Sequence, residues 1–273
     1  MHGCSIMPDG WTDREKLFEL LDSLVDEIGE EHVVQVVTDN GSNHVATGKM
    51  LMEKRRHLYW TSCAAHCIGL MLEDIGKIPL VKNTIRRDVA LVGYIYSHTF
   101  TLSLLRSFTK KKELMRPAIT RFATSFLSLE RIHKQKDNLR KMFTCDEWVQ
   151  NKLSKDAKER EATKTVMMPS FWRHVVFILK VMAPLVRVLR LVDSEKKPAM
   201  GYIYEAMETA KETIMKSFSN NEQRYANIFK IIDDRWNYQL HRPLHAAGHI
   251  LNPDIFYENK RLEFDREVTN RFI

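Results

Sequence analysis

The fold of this chain is decided by one stretch, Val33-Val34-Gln35-Val36-Val37-Thr38-Asp39-Asn40-Gly41-Ser42-Asn43. Residues 33–37 are β-favouring and mostly apolar, which predicts a short buried strand. Residues 40–43 form a turn-and-cap cluster, and we expect them to supply left-handed positions and N-cap oxygens to a following helix. Asp39 then lies at the carboxyl end of a strand, where open α/β sheets bind ligands and metal ions. Two interpretations remain open from these residues alone, a metal-binding carboxylate and a helix cap.

Length and composition are those of an ordinary globular protein. The chain has 273 residues, of which 44% are hydrophobic and 28% are charged, enough for one large domain or two modest ones. No apolar run approaches the roughly 20 residues of a membrane span, and the N-terminus lacks the pattern of a secretory signal. The four cysteines do not suggest a disulfide framework, so we expect a reducing interior. A net charge of +7 favours a polyanionic partner.

The basic residues are concentrated between residues 106 and 141. This segment contains Lys110-Lys111-Lys112, and only Glu113, Glu130 and Asp137 oppose its positive charge. Two interpretations remain open here as well. The segment is either a solvated helix face or a surface that follows nucleic-acid phosphates.

The opening of the chain predicts a β-α-β unit. A strand over Cys4 to Met7, a helix over Lys16 to Ile28 and the strand over Val33 to Val37 follow one another, so the two strands should be parallel neighbours. Tyr59 to Ser62 predicts a further short extended piece, and residues 150–165 an exposed helix or a loop. The remaining helices are predicted over residues 43–55, 66–75, 81–108, 122–143, 171–191, 202–218, 221–239 and 244–251. Pro184 should kink or divide the helix over 171–191.

Two carboxylates follow the first two predicted strands. Asp9 ends the first strand and Asp39 ends the second. If the strands are parallel neighbours, both side chains emerge at the same edge of the sheet. Two-metal phosphoryl transfer uses carboxylates placed in this way. Mg²⁺ or Mn²⁺ is therefore the expected cofactor if this acidic site is retained.

Cysteine and histidine side chains are grouped at two places. Cys63-Ala64-Ala65-His66-Cys67 has the spacing of half a zinc site, but the sequence offers no convincing second half, so we assign no zinc ligands. We instead expect the two cysteines to pack as small apolar groups, with His66 at the start of a helix. His245 and His249, four residues apart, suit a metal site or, as the favoured alternative, surface or capping roles.

At this point the motifs resemble those of hAT-type transposases, in the same order. They are Asp9-Gly10-Trp11-Thr12, the stretch Thr38 to Asn43, Cys63-Ala64-Ala65-His66, and Thr120-Arg121-Phe122-Ala123-Thr124-Ser125. The whole chain is similar to the plant subset that carries a transposase-like domain of unknown function. This likeness extends to residues 240–248 and to Leu251-Asn252-Pro253.

The resemblance implies an RNase H-like core in which two Asp and one Glu hold divalent metal. It assigns the first acid to Asp9 and the second to Asp39, and it places His66 close to DNA. It also puts Arg121 and Phe122 where an aromatic ring stacks on an extruded base. The implied location is the nucleus. The implied partner is DNA, a full-length transposase or another protein.

The chain departs from the family in two ways. Residues 9–13 run almost directly into the helix that begins at Lys16, where the family has two further strands, so the first strand should become a sheet edge. The chain stops at Ile273, before the last core helix that should carry the Glu, and we expect no zinc finger and no dimerisation segment. We expect a truncated core over residues 1–145, a charged linker or exposed helix over 146–165, and a helical insertion over 166–273.

The predicted fold class is a predominantly helical α/β remnant of an RNase H-like fold, with a short, incomplete sheet and a large all-α insertion. Three functions remain: a degenerate or domesticated transposase with residual DNA binding, a helical protein-interaction module, and an active metal-dependent transposase or nuclease. The missing Glu and strands favour the first, an inactive protein. The DNA-binding residues predicted for it are His66, Lys110, Lys111, Lys112, Arg121 and Phe122.

Overall fold

The fold is mostly helical with one small parallel sheet, as seen in a computed structural model that describes residues 3–8, 13–116, 122–151, 157–194 and 199–257. The strands are β1 (Cys4–Ile6), β2 (Val33–Thr38) and β3 (Tyr59–Ser62). The predicted fold class is thereby confirmed as a mostly helical protein with a short, incomplete sheet. Within the described ranges, no helix has the length and apolarity that crossing a membrane requires.

The described helices lie between residues 14 and 256. They are α1 (Arg14–Ile28), α2 (Ser42–Lys54), α3 (Ala64–Lys77), α4 (Pro79–Ser97), α5 (Thr99–Phe108), α6 (Phe122–Lys134), α7 (Lys136–Met142), α8 (Asp146–Gln150), α9 (Ala157–Met167), α10 (Pro169–Val192), α11 (Ile203–Ser217), α12 (Ala226–Arg235), α13 (Pro243–Ile250) and α14 (Pro253–Phe256). A π-helical turn, Trp236–Leu240, follows α12.

The chain forms two compact units, residues 1–71 with 187–273, and residues 72–186. The predicted division into 1–145, 146–165 and 166–273 followed the segments of the resembled family. Compact units do not test such a division, so it stays a prediction.

The sheet has the order β1-β2-β3, and both strand pairs are parallel. The predicted β-α-β opening and the edge position of β1 are confirmed, although β1 ends at Ile6, one residue before the predicted end at Met7. A row of polar side chains crosses one face of the sheet: Ser5 Oγ donates to Gln35 Oε1 at 3.2 Å, and Gln35 Nε2 donates to Thr61 Oγ1 at 2.6 Å. These bonds satisfy an amide that is almost fully buried.

The first unit has a core between α1, α2 and the sheet. Apolar residues of α1 at helical spacing are completely buried, namely Leu17, Leu21 and Val25. They belong to the same apolar cluster as Val36 and Trp60. Helix α2 approaches β3 closely through Gly48, where an added Cβ would lie 2.2 Å from Cγ of Trp60. The sheet and its two helices are thus fixed to one another by tight packing.

A buried arginine joins the end of α2 to α1. The side chain of Arg55 is 4% exposed and lies 2.8 Å from Asp22, 2.8 Å from Asp26 and 2.9 Å from Glu30. Because a buried cation needs partners in this way, the three carboxylates are what allows the guanidinium to be buried here. The cluster therefore locks α1 against the segment that leads into β3.

Several helix predictions need correction. The helix over 81–108 is broken at His98, whose backbone is extended, and the helix over 122–143 is broken at Gln135. Pro184 does not divide α10, which continues from Pro169 to Val192. Val181, Met182 and Leu185 are completely buried on both sides of the proline, so packing holds the two halves of the helix together.

Candidate functional site

The structure brings Asp39 and His66 together at the carboxyl edge of the sheet. Asp39 follows β2 directly, and His66 lies in the first turn of α3, which follows β3. The Cys63 amide donates to the Thr38 carbonyl at 2.7 Å and so holds the two strand ends side by side. His66 Nδ1 is 3.5 Å from Asp39 Oδ1, with the carboxylate about half exposed. The two groups form an ion pair whenever the imidazole is protonated.

Asn40 has a different role from the predicted one. It does not adopt a left-handed backbone, and none of residues 40–43 does. The N-cap of α2 is Gly41, which has no side chain to donate a capping oxygen. Asn40 Oδ1 instead accepts a hydrogen bond from Ser62 Oγ at 3.0 Å. The prediction that residues 40–43 supply N-cap oxygens to α2 is therefore wrong, because the Asn40 amide binds the Ser62 hydroxyl at the end of β3 instead.

Two arginines that lie far from this edge in the sequence, Arg235 and Arg242, affect the pKa of the Cys67 thiol. Burial raises the pKa of the Cys67 thiol to about 12; Cys63 and Asp39 raise it as well, while Arg235 and Arg242 lower it. The thiol consequently stays protonated near neutral pH and packs as an apolar group, as the sequence predicted for it. All four cysteines of the chain are free thiols.

A cavity of about 510 Å³ begins at this edge, at Asn40, and extends along β3 to Tyr59 at the start of that strand. Helix α2 contributes Lys49 to its lining, and the segment that leads into α13 contributes Arg242. Tyr59 and Tyr238 also line it, with exposures of 47% and 69%. No carboxylate is among the described residues that line this cavity. We refer to it as the edge cavity.

Arg242 is held in place at the edge cavity by the π-helical turn. Its Nη2 donates to the Tyr238 carbonyl at 2.9 Å, and its buried Nε has no hydrogen-bond partner among the described residues. Sequence reasoning assigned no role to Lys49, Tyr59, Tyr238 or Arg242. The one sequence signal for these four residues is the family resemblance over residues 240–248, which include Arg242.

The histidines of α13 are buried, so the surface role in the favoured expectation is wrong, whereas the capping role fits the contact of His245 with the end of the π-helical turn. His245 and His249 are each 5% exposed. His245 Nδ1 lies 2.9 Å from the Leu240 carbonyl, and burial lowers the pKa of this imidazole. The His249 ring stacks on Tyr204 at 5.5 Å. These contacts explain why the side chains face the interior of the unit.

The remaining predicted site residues are separate from this edge or undescribed. Lys110, Lys111 and Lys112 form an exposed turn after α5, with φ of 52° at Lys110 and 61° at Lys111. Asp9 and Arg121 lie outside the described residues. Phe122 begins α6, but its side chain is also outside the described part of the structure.

A divalent metal site needs more ligands than this edge supplies. Mg²⁺ takes an octahedral set of oxygen ligands, whereas the described residues place only Asp39 and His66 in contact. Within the described ranges, no group of three or more His, Cys, Asp or Glu side chains is arranged to hold a metal. These residues alone do not fit the expected Mg²⁺ or Mn²⁺, and the Asp9–Asp39 pair stays a prediction.

Comparison with known families places part of this site in a recognised domain. Residues 12–90 match a family described as a domain of unknown function, DUF659. This family is the one associated with hAT-like transposases. The matched region includes β2, β3, the Asp39–His66 contact and Lys49. No curated protein matches the chain.

Proposed function

We propose that this chain is a transposase-derived nuclear protein that binds DNA at the carboxyl edge of its sheet and does not carry out strand transfer. The family match over residues 12–90 supports a transposase-like origin. The all-parallel order β1-β2-β3, with β1 at the edge, is consistent with an RNase H-like core that lacks the two strands after its first one.

The observation that carries DNA binding is the chemistry of the edge cavity. Lys49 and Arg242 supply two cations for phosphate groups. The exposed rings of Tyr59 and Tyr238 offer faces on which unpaired bases stack. The described lining of the cavity itself contains no carboxylate that would repel an incoming phosphate. His66, at the same edge, adds positive charge when it is protonated.

The proposed loss of strand transfer rests on the contact between Asp39 and His66. Its carboxylate contacts His66 instead of belonging to a cluster of acids within the described residues. An imidazolium beside a carboxylate competes with a metal ion for the same oxygen atoms. In this proposal Asp39 corresponds to the second acid of the core, and its contact with His66 joins the start of α3 to the end of β2.

A cleavage assay tests this proposal. The protein is incubated with transposon-end DNA in Mg²⁺ and, separately, in Mn²⁺, and nicked product is quantified on denaturing gels. We expect DNA binding without metal-dependent nicking, for the wild type and for Asp39→Asn alike. The matched control is Asp137→Asn, which neutralises an exposed acid at the start of α7. Robust nicking that Asp39→Asn abolishes and Asp137→Asn preserves would overturn the proposal in favour of an active nuclease.

A further inference from the structure

A second concave surface lies in the unit formed by residues 72–186, between α4 and α9. This groove has a volume of about 1100 Å³. Its floor is apolar and buried, with Leu91 and Tyr94 from α4 and Ala162 from α9, each at most 6% exposed. We call it the α4–α9 groove. Its formation does not involve any residue of the sheet edge.

The walls of the α4–α9 groove carry an excess of positive charge. Arg86, Arg87 and Lys158 line it, and Glu161 is the one acid among the lining residues that the structure describes. Glu161 already lies 3.6 Å from Lys164, in an ion pair along α9. None of the three cations makes an ion pair with another described residue. An occupant with negative charge would therefore meet cations that have no ion-pair partner among the described residues.

The cations lie toward opposite ends of the groove. Arg87 Nη1 donates to Met168 Sδ at 3.1 Å, which places the C-terminal end of α9 beside the first half of α4. Lys158 belongs to the N-terminal end of α9, a helix of 11 residues, which is about 16 Å long. Along α4, the lining extends from Arg86 to His98, or about 18 Å. This length matches about three turns of an α-helix.

We propose that the α4–α9 groove docks an acidic amphipathic helix of a protein partner. Apolar side chains of the partner, spaced i, i+3 or i+4 and i+7, rest on Val89 and Ala90, the exposed apolar residues that line the groove beside its buried floor. Its Asp or Glu residues meet Arg86 and Arg87 at one end and Lys158 at the other. Duplex DNA suits this surface less well, because protein–DNA interfaces are more polar and a phosphate backbone makes no use of an apolar floor.

Gly93 provides a way to block the groove without disturbing its walls. It lies on the groove side of α4, and an added Cβ there would meet no atom within 4 Å. The Trp side chain of Gly93→Trp should therefore occupy the groove. Gly69 in α3 has equally open surroundings and lies outside the groove, so Gly69→Trp is the matched control.

The test uses a displayed library of helical peptides of about 16 residues, long enough to span the groove, selected against the full chain. Fluorescence anisotropy then gives the affinities of the selected peptides for each variant. We expect acidic peptides with apolar residues at i, i+3 or i+4 and i+7. Their affinity should fall at least about ten-fold with Gly93→Trp and with Arg86→Glu/Arg87→Glu, and remain unchanged with Gly69→Trp.

Three results would overturn the proposal. The selection yields no acidic amphipathic binder, the binders are insensitive to both groove variants, or a DNA duplex of about 20 base pairs binds the groove and displaces the peptides. Circular dichroism establishes that each variant is folded. If Gly93→Trp unfolds the protein, the peptide affinity of Arg86→Glu/Arg87→Glu tests the proposal in its place.

Discussion

At the scale of single residues, Asp88 shows how strongly burial changes the chemistry of a carboxyl group. It lies on the inward face of α4 with no exposed surface. Burial raises the pKa of Asp88 from its usual 3.8 to about 7, although the Ser128 hydroxyl lowers it in part. The folded protein therefore keeps this group protonated under conditions in which the unfolded chain ionises it.

This difference predicts a pH-dependent stability. Between pH 3.8 and about 7 the folded state binds more protons at Asp88 than the unfolded state does, so the contribution of Asp88 to stability decreases as the pH rises through this range and then levels off. Asp88→Asn has no carboxyl group to ionise, so this variant does not lose stability through residue 88 as the pH rises. We expect this variant to raise the free energy of unfolding by a few kcal/mol at pH 8, with little change near pH 4.

Urea denaturation of the wild type and Asp88→Asn across this pH range measures the effect. All other titrating groups are common to both proteins, so the difference between the two curves isolates Asp88. Asp137→Asn, at an exposed position, should show no such divergence. A constant difference between wild type and Asp88→Asn at every pH would show that Asp88 ionises normally.

At the scale of elements, the contact between α2 and β3 depends on the absence of a side chain at Gly48. The Trp60 ring occupies that space and is fixed by its Nε1, which donates to Thr38 Oγ1 at 3.0 Å. Gly48→Ala should push the ring aside, which costs about 1–3 kcal/mol. The gain in helix propensity offsets about 1 kcal/mol of this cost, so the free energy of unfolding should fall by up to about 2 kcal/mol.

Gly69→Ala is the matched control for this prediction. It makes the same replacement inside α3, where the added methyl group meets open space. We expect Gly69→Ala to leave stability unchanged or to raise it by up to about 1 kcal/mol. Thermal denaturation of both variants measures the difference, and equal effects at the two positions would contradict the packing role assigned to Gly48.

The elements with strong local patterns were predictable from sequence. The valine strand, the extended Tyr59 to Ser62 and the β-α-β opening are confirmed within a residue or two. The breaks at His98 and Gln135 were not predicted, because neither position has Gly or Pro to signal the end of a helix. His98 Nδ1 contacts the Tyr94 carbonyl, a local bond that competes with continuation of the helix.

The candidate site was predictable only where adjacent strands brought it together. Asp39 and His66 follow neighbouring parallel strands, so their proximity follows from strand order and motif spacing. Lys49 and Arg242 are far apart in sequence, and no local pattern indicates that they line one cavity. Such a cavity depends on long-range packing, which periodicity does not describe.

At the scale of the whole molecule, the net charge of +7 means that any polyanion is attracted to some extent. Specific contacts must therefore be separated from this general attraction. The exposed turn at Lys110, Lys111 and Lys112 stays a separate prediction as a phosphate-binding surface. The edge cavity is the more specific candidate, because it combines cations with exposed aromatic rings.

The dependence of DNA affinity on salt concentration, measured for Lys49→Gln/Arg242→Gln, tests the proposed DNA site most directly. Lys77→Gln/Lys216→Gln is the control, because it removes the same charge from exposed surface lysines. We predict that Lys49→Gln/Arg242→Gln weakens binding and makes the plot of log K against log salt shallower by about 1–2. The control should stay close to the wild type. Affinity and slope that are unchanged in Lys49→Gln/Arg242→Gln would contradict DNA binding at the edge cavity.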